Sequence, residues 1–372
     1  MTKNNNRIHY MDGVRVTFAF MGIMFHMAVW YVLHPQALTL VKAVDYSRTF
    51  FWVIEIIRLF RMDTFFLIAG FFAAMGMVKY DLTAFLKLRI TKLHVLNVVP
   101  IVFLLTTIIC YLLQLSLGDV GPLSTQYWKS LVFEHHLWFL KVLFIYYIFY
   151  WILVKKTNLI NVLQNKTQPF HLILLAFTYL MWAVLAKIFP ILWTNNFLVE
   201  TVFRVFIYLP YFILGTTMYF NKQLADNFMR LSLVRILVCC TLILAYLYFV
   251  NQQYGMINGH VQPAFFALKL LTYLLKGAAN LCAVYLIFLV SSNIFKSDGR
   301  LLKYLGDRSY TVYLLHFPLC LIFGYLFTKV HLDVRFEYMV SVFSIYAITL
   351  LMHDVLVKPI TLKAAELKSS TA

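Results

Sequence analysis

Two ionisable side chains, Arg15 and His26, stand inside the first apolar run of the chain, residues 14–33, VRVTFAFMGIMFHMAVWYVL. Placing such a group at membrane depth is costly, so each needs a reason for being there. Their spacing supplies one. Eleven positions separate them. At about 100° per residue that is three turns plus roughly 20°, which puts both on one helix face about 16 Å apart. One group then lies at the membrane edge and the other near the midplane. That layout suits a long ligand held at one end and reacted at the other, with the imidazole as the titrating base. The competing structural reading has Arg15 snorkelling to lipid headgroups and His26 bonded to a neighbouring helix.

The elements that would position these groups are transmembrane helices. At 62% hydrophobic and 13% charged residues, with a mean hydropathy of +0.79, the chain is excluded from the soluble globular class. A net charge of +17 would suggest nucleic acid for a soluble protein. Here the positive-inside rule accounts for it, and membrane lipid is the expected partner rather than nucleic acid. The five cysteines, Cys110, Cys239, Cys240, Cys282 and Cys320, sit in apolar runs and read as small buried hydrophobes. Neither a disulfide framework nor a metal site is expected. The first apolar run is full length with no small-residue cleavage site after it, so it reads as a span rather than a cleaved signal.

Hydropathy places ten spans at roughly 14–34, 47–78, 93–117, 135–154, 171–192, 201–220, 233–250, 263–290, 304–328 and 336–357. The second is too long for one straight crossing and is expected to bend near Arg61-Met62-Asp63. With both termini cytoplasmic, the inner segments carry nineteen Lys and Arg and the outer loops five. The expected fold is therefore an all-α polytopic membrane protein, with about ten transmembrane helices around a polar central chamber. Residues 1–358 would form a single integral-membrane domain and 359–372 a short cytoplasmic tail.

Five ionisable groups fall near one depth in this scheme: His26, Arg61, Asp63, Lys141 and His316. His136 lies a turn above Lys141, and Tyr313 precedes His316 by three residues on the same face. One reading is an internal salt-bridge network with Asp63 neutralising Arg61. The other is a polar chamber in which an imidazole acts as base. At the cytoplasmic edge, Arg15 has the company of Lys87, Arg89 and Lys92, and of Arg300, Lys303 and Arg308. Much of this is topology, but a concave cluster of such cations would bind a polyphosphate such as that of coenzyme A. There is no phosphate-binding glycine loop. Outer-face aromatics, Trp138 and Tyr208 among them, read as belt anchors or as a surface on which sugars stack.

Three segments together resemble the integral-membrane acyltransferase-3 family. They are Tyr10-Met11-Asp12-Gly13-Val14-Arg15 with His26, the run from Phe60 to Phe71 (FRMDTFFLIAGF), and the run from Ser309 to Leu319 (SYTVYLLHFPL). They stand in the family's order across nearly the whole chain. Further likeness, in His136-Leu137-Trp138-Phe139-Leu140 and in 208–215, points to a branch that succinylates periplasmic glucans. The chain departs from the broader family where an acidic segment is replaced by HLWFLKVLF, and where Ala69 stands for a serine.

The resemblance implies an inner-membrane O-acyltransferase. It would move an acyl group, succinyl by this likeness, from cytoplasmic acyl-CoA to a hydroxyl of a periplasmic glucan or other polysaccharide. Acyl-CoA would be a co-substrate and not a resident cofactor. In that scheme Arg15, Arg89, Lys92 and Arg308 hold the CoA phosphates, and His26 is the base. Arg61 or His316 stabilises the oxyanion. Lys141 is the cation for a succinyl carboxylate, with His136, Trp138 and Tyr313 near the substrates. Two alternatives stay open: acetylation of another surface polysaccharide, and a sugar or anion transporter. The transporter would be expected to show inverted repeats, and no internal repeat is evident.

Overall fold

The computed structural model describes residues 9–32, 47–92, 98–112, 136–156, 197–257, 265–295, 299–327, 329–330 and 332–359. All regular structure among these residues is helical. In chain order the helices are α1 (His9–Trp30), α2 (Arg48–Arg58), α3 (Arg61–Lys79), α4 (Leu82–Lys92), α5 (Val98–Leu112) and α6 (Trp138–Lys156). There follow α7 (Phe197–Phe220), α8 (Lys222–Met229), α9 (Leu233–Ile257), α10 (Phe265–Ile294), α11 (Arg300–Phe327) and α12 (Val334–Met352). The last runs into a π-helical turn, His353–Val357.

Six of these helices, α1, α7, α9, α10, α11 and α12, hold segments long and apolar enough to cross a membrane. Shorter apolar stretches, Val98–Cys110 and Trp138–Ile152, lie in α5 and α6. The chain is a multi-pass membrane protein. Of the ten spans read from the sequence, the fifth, 171–192, lies outside the described residues.

Local chemistry explains several boundaries. Asp81 accepts from the Ala84 amide at 2.8 Å to start α4, and Asn221 accepts from Leu224 at 2.9 Å to start α8. Asp333 accepts from Arg335 and Phe336 at 2.9 and 3.2 Å to start α12. In each case a short polar side chain satisfies amides that have no intrahelical partner. The long second span breaks where the bend was expected. Its first part, α2, ends at Arg58, Leu59 and Phe60 form a turn, and α3 begins at Arg61.

The chain divides into two compact units: 1–57 with 89–137 and 297–372, and 58–88 with 138–296. In the first unit α1 packs on α11 running in the same direction. His26 meets the ring of His316, and Trp30 lies against Gly324. A Cβ on Gly324 would come within 2.1 Å of the Trp30 indole, so glycine is what lets that ring settle. Against them α12 runs in the opposite sense, Phe20 meeting Tyr346 and Tyr31 meeting Tyr338. These senses agree with the parity expected for the first, ninth and tenth spans.

In the second unit α3 and α7 cross at backbone contact. A Cβ on Gly70 would stand 2.1 Å from the Phe212 carbonyl oxygen, and one on Gly215 only 1.9 Å from that of Leu67. Paired small residues of this kind let membrane helices approach closely where apolar burial offers no driving force. Phe66 stacks on Tyr208 and Phe71 meets Tyr219, so the two helices run in the same direction. Helix α6 follows that sense, since Lys141 reaches Thr201 and Tyr146 reaches Val205. Cys239 and Cys282 pack with Tyr285 and Leu289 between α9 and α10. One cysteine departs from the buried expectation: Cys240 is exposed on α9. Its helix also exposes Leu237, Val238 and Leu244, a surface that suits contact with lipid.

Candidate functional site

The first unit gathers three histidines. His26 on α1 lies with its ring centroid 5.3 Å from that of His316 on α11. His136, just before α6, lies 5.4 Å from His316 on another side. Phe317 touches both outer rings, at 4.9 Å from His26 and 5.0 Å from His136. These are ring contacts and not a convergent ligand set. Among the described residues no group of three or more His, Cys, Asp or Glu side chains is placed to hold a metal ion.

Two of the three tautomers follow from their hydrogen bonds. The Nδ1 of His316 lies 2.7 Å from the Tyr313 carbonyl oxygen and 3.0 Å from that of Val312. A carbonyl only accepts, so Nδ1 carries the proton, and the lone pair of the neutral ring sits on Nε2. His136 Nε2 donates to the Leu314 carbonyl oxygen at 2.9 Å, which leaves its lone pair on Nδ1. That carbonyl is available because Pro318, four residues on, has no N–H to give it. The Tyr313 hydroxyl donates to the His136 carbonyl and clamps the same segment to α11. His316 is only 2% exposed, whereas His26 is half-buried. His26 is thus the ring of that pair more open to a ligand.

Arg15 lies on the same unbroken helix as His26, so the expected axial separation of about 16 Å holds. Its Nη1 is 3.5 Å from Asp12 Oδ1, one turn earlier, and about a third of its side chain is exposed. Arg308, expected among the phosphate ligands, is already engaged. Its Nη2 pairs with Asp354, its Nη1 donates to the Tyr304 carbonyl at 2.9 Å, and its guanidinium covers the Tyr304 ring. Tyr304 in turn donates to Asp354 at 3.0 Å. Beside this group, in the π-helical turn, His353 Nδ1 is hydrogen-bonded to Thr311 Oγ1 at 2.7 Å. Arg89, near the end of α4, is half-buried. The side chain of Lys92 lies outside the described residues.

Arg61, Asp63, Lys141 and Trp138 belong to the second unit. The alternative reading, in which Asp63 neutralises Arg61, is not what forms. Residues two apart on a helix point about 200° away from each other. Asp63, 2% exposed, instead accepts from Asn280 Nδ2 on α10 at 2.9 Å, and Lys276, one turn before Asn280, lies within electrostatic reach of it. Lys141 Nζ donates to Thr201 Oγ1 at 2.7 Å. Trp138 stacks on Tyr208 with centroids 5.6 Å apart, and the Arg204 guanidinium stands 4.5 Å above its ring. The indole is therefore packed into protein on these contacts. Asn280, Lys276 and Arg204 are the site neighbours that spacing does not identify. A visible signal exists for two of them: Lys276 and Asn280 are polar groups four apart in an apolar helix.

The fold and site describe a polytopic helical membrane protein in which three histidine rings meet. The family comparison places it more closely: residues 8–354 match the acyltransferase domain family, acyltransferase-3, and the chain belongs to that family. It is a membrane acyltransferase. It is similar to glucans biosynthesis protein C of Escherichia coli O81 (strain ED1a), 26% identical over 337 residues, covering 86% of this chain and 83% of the relative. The protein of the same name from Escherichia coli K12 is 25% identical over 340 residues, with the same shares covered. No solved structure matches the chain.

Proposed function

We propose that this acyltransferase works in a bacterial inner membrane with both termini cytoplasmic. It would carry an acyl group, succinyl in this reading, from cytoplasmic acyl-CoA to a hydroxyl of a periplasmic glucan. The observation that carries the reading is the contact of the His26 and His316 rings, centroids 5.3 Å apart, with His26 on the same unbroken helix as Arg15. The surplus of basic residues on the inner side supports the orientation, and the name of the relatives supports a glucan acceptor.

In this reading Arg15, with Arg89 and Lys92, grips the CoA phosphates, and the pantetheine arm runs up α1 towards His26. His26 accepts the proton of the sugar hydroxyl as its oxygen attacks the thioester carbonyl. The C–S bond then breaks, and the proton leaves on the CoA thiol. A neutral His316 offers a lone pair at Nε2, so it acts as a second proton acceptor beside His26 and not as an oxyanion donor. Arg308 joins the phosphate site only by giving up Asp354.

The test is transfer by purified protein in detergent, with the product weighed by mass spectrometry. Loss of a general base typically lowers rate by about 10²–10⁴-fold, and His26→Ala is expected to fall in that range while still inserting and folding. A His26→Ala protein that transfers at near wild-type rate would remove the assignment. The mass added by the wild type names the acyl group.

A further inference from the structure

Near the start of α11, within the first unit, one carboxylate engages two donors suited to a phosphate. Tyr304 and Arg308 stand one turn apart on α11, and both reach Asp354 in the π-helical turn that follows α12. Arg308 Nη2 pairs with Oδ1 of that carboxylate, and the Tyr304 hydroxyl donates to Oδ2 at 3.0 Å. The guanidinium is also held from its own helix. Its Nη1 donates to the Tyr304 carbonyl at 2.9 Å, and its Cζ lies 3.5 Å from the Tyr304 ring centroid. A fixed guanidinium edge beside a hydroxyl donor is a set that grips two oxygens of a phosphate. Here the chain's own carboxylate takes both donors.

The layout makes that carboxylate a gate. The Arg308 side chain is 11% exposed and that of Asp354 34%, so the carboxylate is the outer half of the pair. Its backbone belongs to a turn closed from the Lys358 N–H to the His353 carbonyl, over five residues rather than four. Single π turns of this kind are rare and recur at functional sites. His353, one residue before the carboxylate, is hydrogen-bonded to Thr311 on α11 at 2.7 Å and anchors the turn. Depth fits as well. α1 and α11 run in the same direction, with His26 against His316. Arg308 precedes His316 by eight residues and Arg15 precedes His26 by eleven, which places the two cations about 12 and 16 Å towards the same end of the unit. We propose that Arg308 and Tyr304 form a phosphate-binding site guarded by Asp354, which gives way to an incoming phosphate group. Its assignment to acyl-CoA rests on the proposed donor, and a lipid headgroup carries the same chemistry.

The test is equilibrium dialysis of the full-length protein in detergent against labelled coenzyme A and, separately, labelled short-chain phosphatidylglycerol. Asp354→Asn keeps the size of the side chain and removes its charge. It is expected to bind about 10-fold or more tightly than wild type, the lower end of one charged hydrogen bond. Adding Arg308→Met to it should abolish the gain. A gain for coenzyme A alone identifies the donor's phosphate, for phosphatidylglycerol alone a lipid headgroup, and for both a general phosphate site. Equal or weaker binding of both probes by Asp354→Asn overturns the proposal, as does a gain that survives Arg308→Met. Hydrogen exchange of the wild type decides the matter where Asp354→Asn does not fold. Amides of residues 353–358 are expected to exchange faster in excess probe, and unchanged exchange with both probes overturns the gate. Acyl transfer from acyl-CoA is followed in parallel. Transfer without the Asp354→Asn gain removes the gate alone, and the gain without transfer removes the donor reading alone.

Discussion

The contact of His136 with the Leu314 carbonyl can be tested by a double-mutant cycle with Pro318. Pro318 has no N–H, so Leu314 O takes its hydrogen bond from His136 Nε2 at 2.9 Å. In His136→Ala that buried carbonyl loses its donor, and a buried polar group left unsatisfied costs about 1–3 kcal/mol. In a Pro318→Ala background the new amide at position 318 can serve Leu314 O through the ordinary helical bond. There His136→Ala should cost less, and the shortfall is the coupling. We expect it to be about 1–2 kcal/mol, the lost hydrogen bond with part of the desolvation penalty. The assay is equilibrium unfolding in mixed micelles, followed by helix content, for the four proteins of the cycle. Additivity of the two single substitutions within about 0.3–0.5 kcal/mol, the usual limit for independent sites, would refute the proline-vacated carbonyl as the reason for His136.

Two further outcomes follow from the packing and the charge layout. Gly215→Ala puts a Cβ 1.9 Å from the Leu67 carbonyl oxygen, a backbone atom that cannot swing aside. Overpacking of this kind typically destabilises by about 1–3 kcal/mol, so its melting temperature in detergent should fall clearly, and an unchanged value would mean α3 and α7 do not cross there. Arg15→Lys keeps the charge but loses the planar fork. Calorimetry should show weaker acyl-CoA binding for Arg15→Lys and weaker still for Arg15→Ala, and equal affinity in all three proteins would move the phosphate site off α1.

How much of the fold and site is legible in the sequence depends on the range of each interaction. Arg15 and His26 lie on one continuous helix, so spacing alone relates them, and α1 runs unbroken through both. The break before Arg61 is legible as excess length over one crossing. Contacts between distant segments are not legible. Nothing in the spacing says that Asn280 will meet Asp63, 217 positions away, or that Arg204 will cap Trp138. Arg61 and Asp63 do not pair for a local reason: closeness in sequence is not closeness in space when the helical angle turns two side chains apart. Cys240 is exposed despite its apolar run, because a membrane helix turns apolar residues outward to lipid as readily as inward.

Within the Ser309–Leu319 segment the residue types act on one another. Pro318 leaves the Leu314 carbonyl without a backbone donor, and His136 fills that position. Two residues before the proline, His316 turns its Nδ1 back to the carbonyls of Val312 and Tyr313. Three consecutive carbonyls of a single helical turn therefore receive imidazole N–H groups. Each donation fixes a tautomer and turns that ring's lone pair away from the helix backbone. Tyr313 completes the arrangement by holding the backbone of His136 through its hydroxyl. The spacing of tyrosine, histidine and proline in this motif is what a helix needs to orient two imidazoles with its own carbonyls. His26 then meets a ring whose tautomer has already been set.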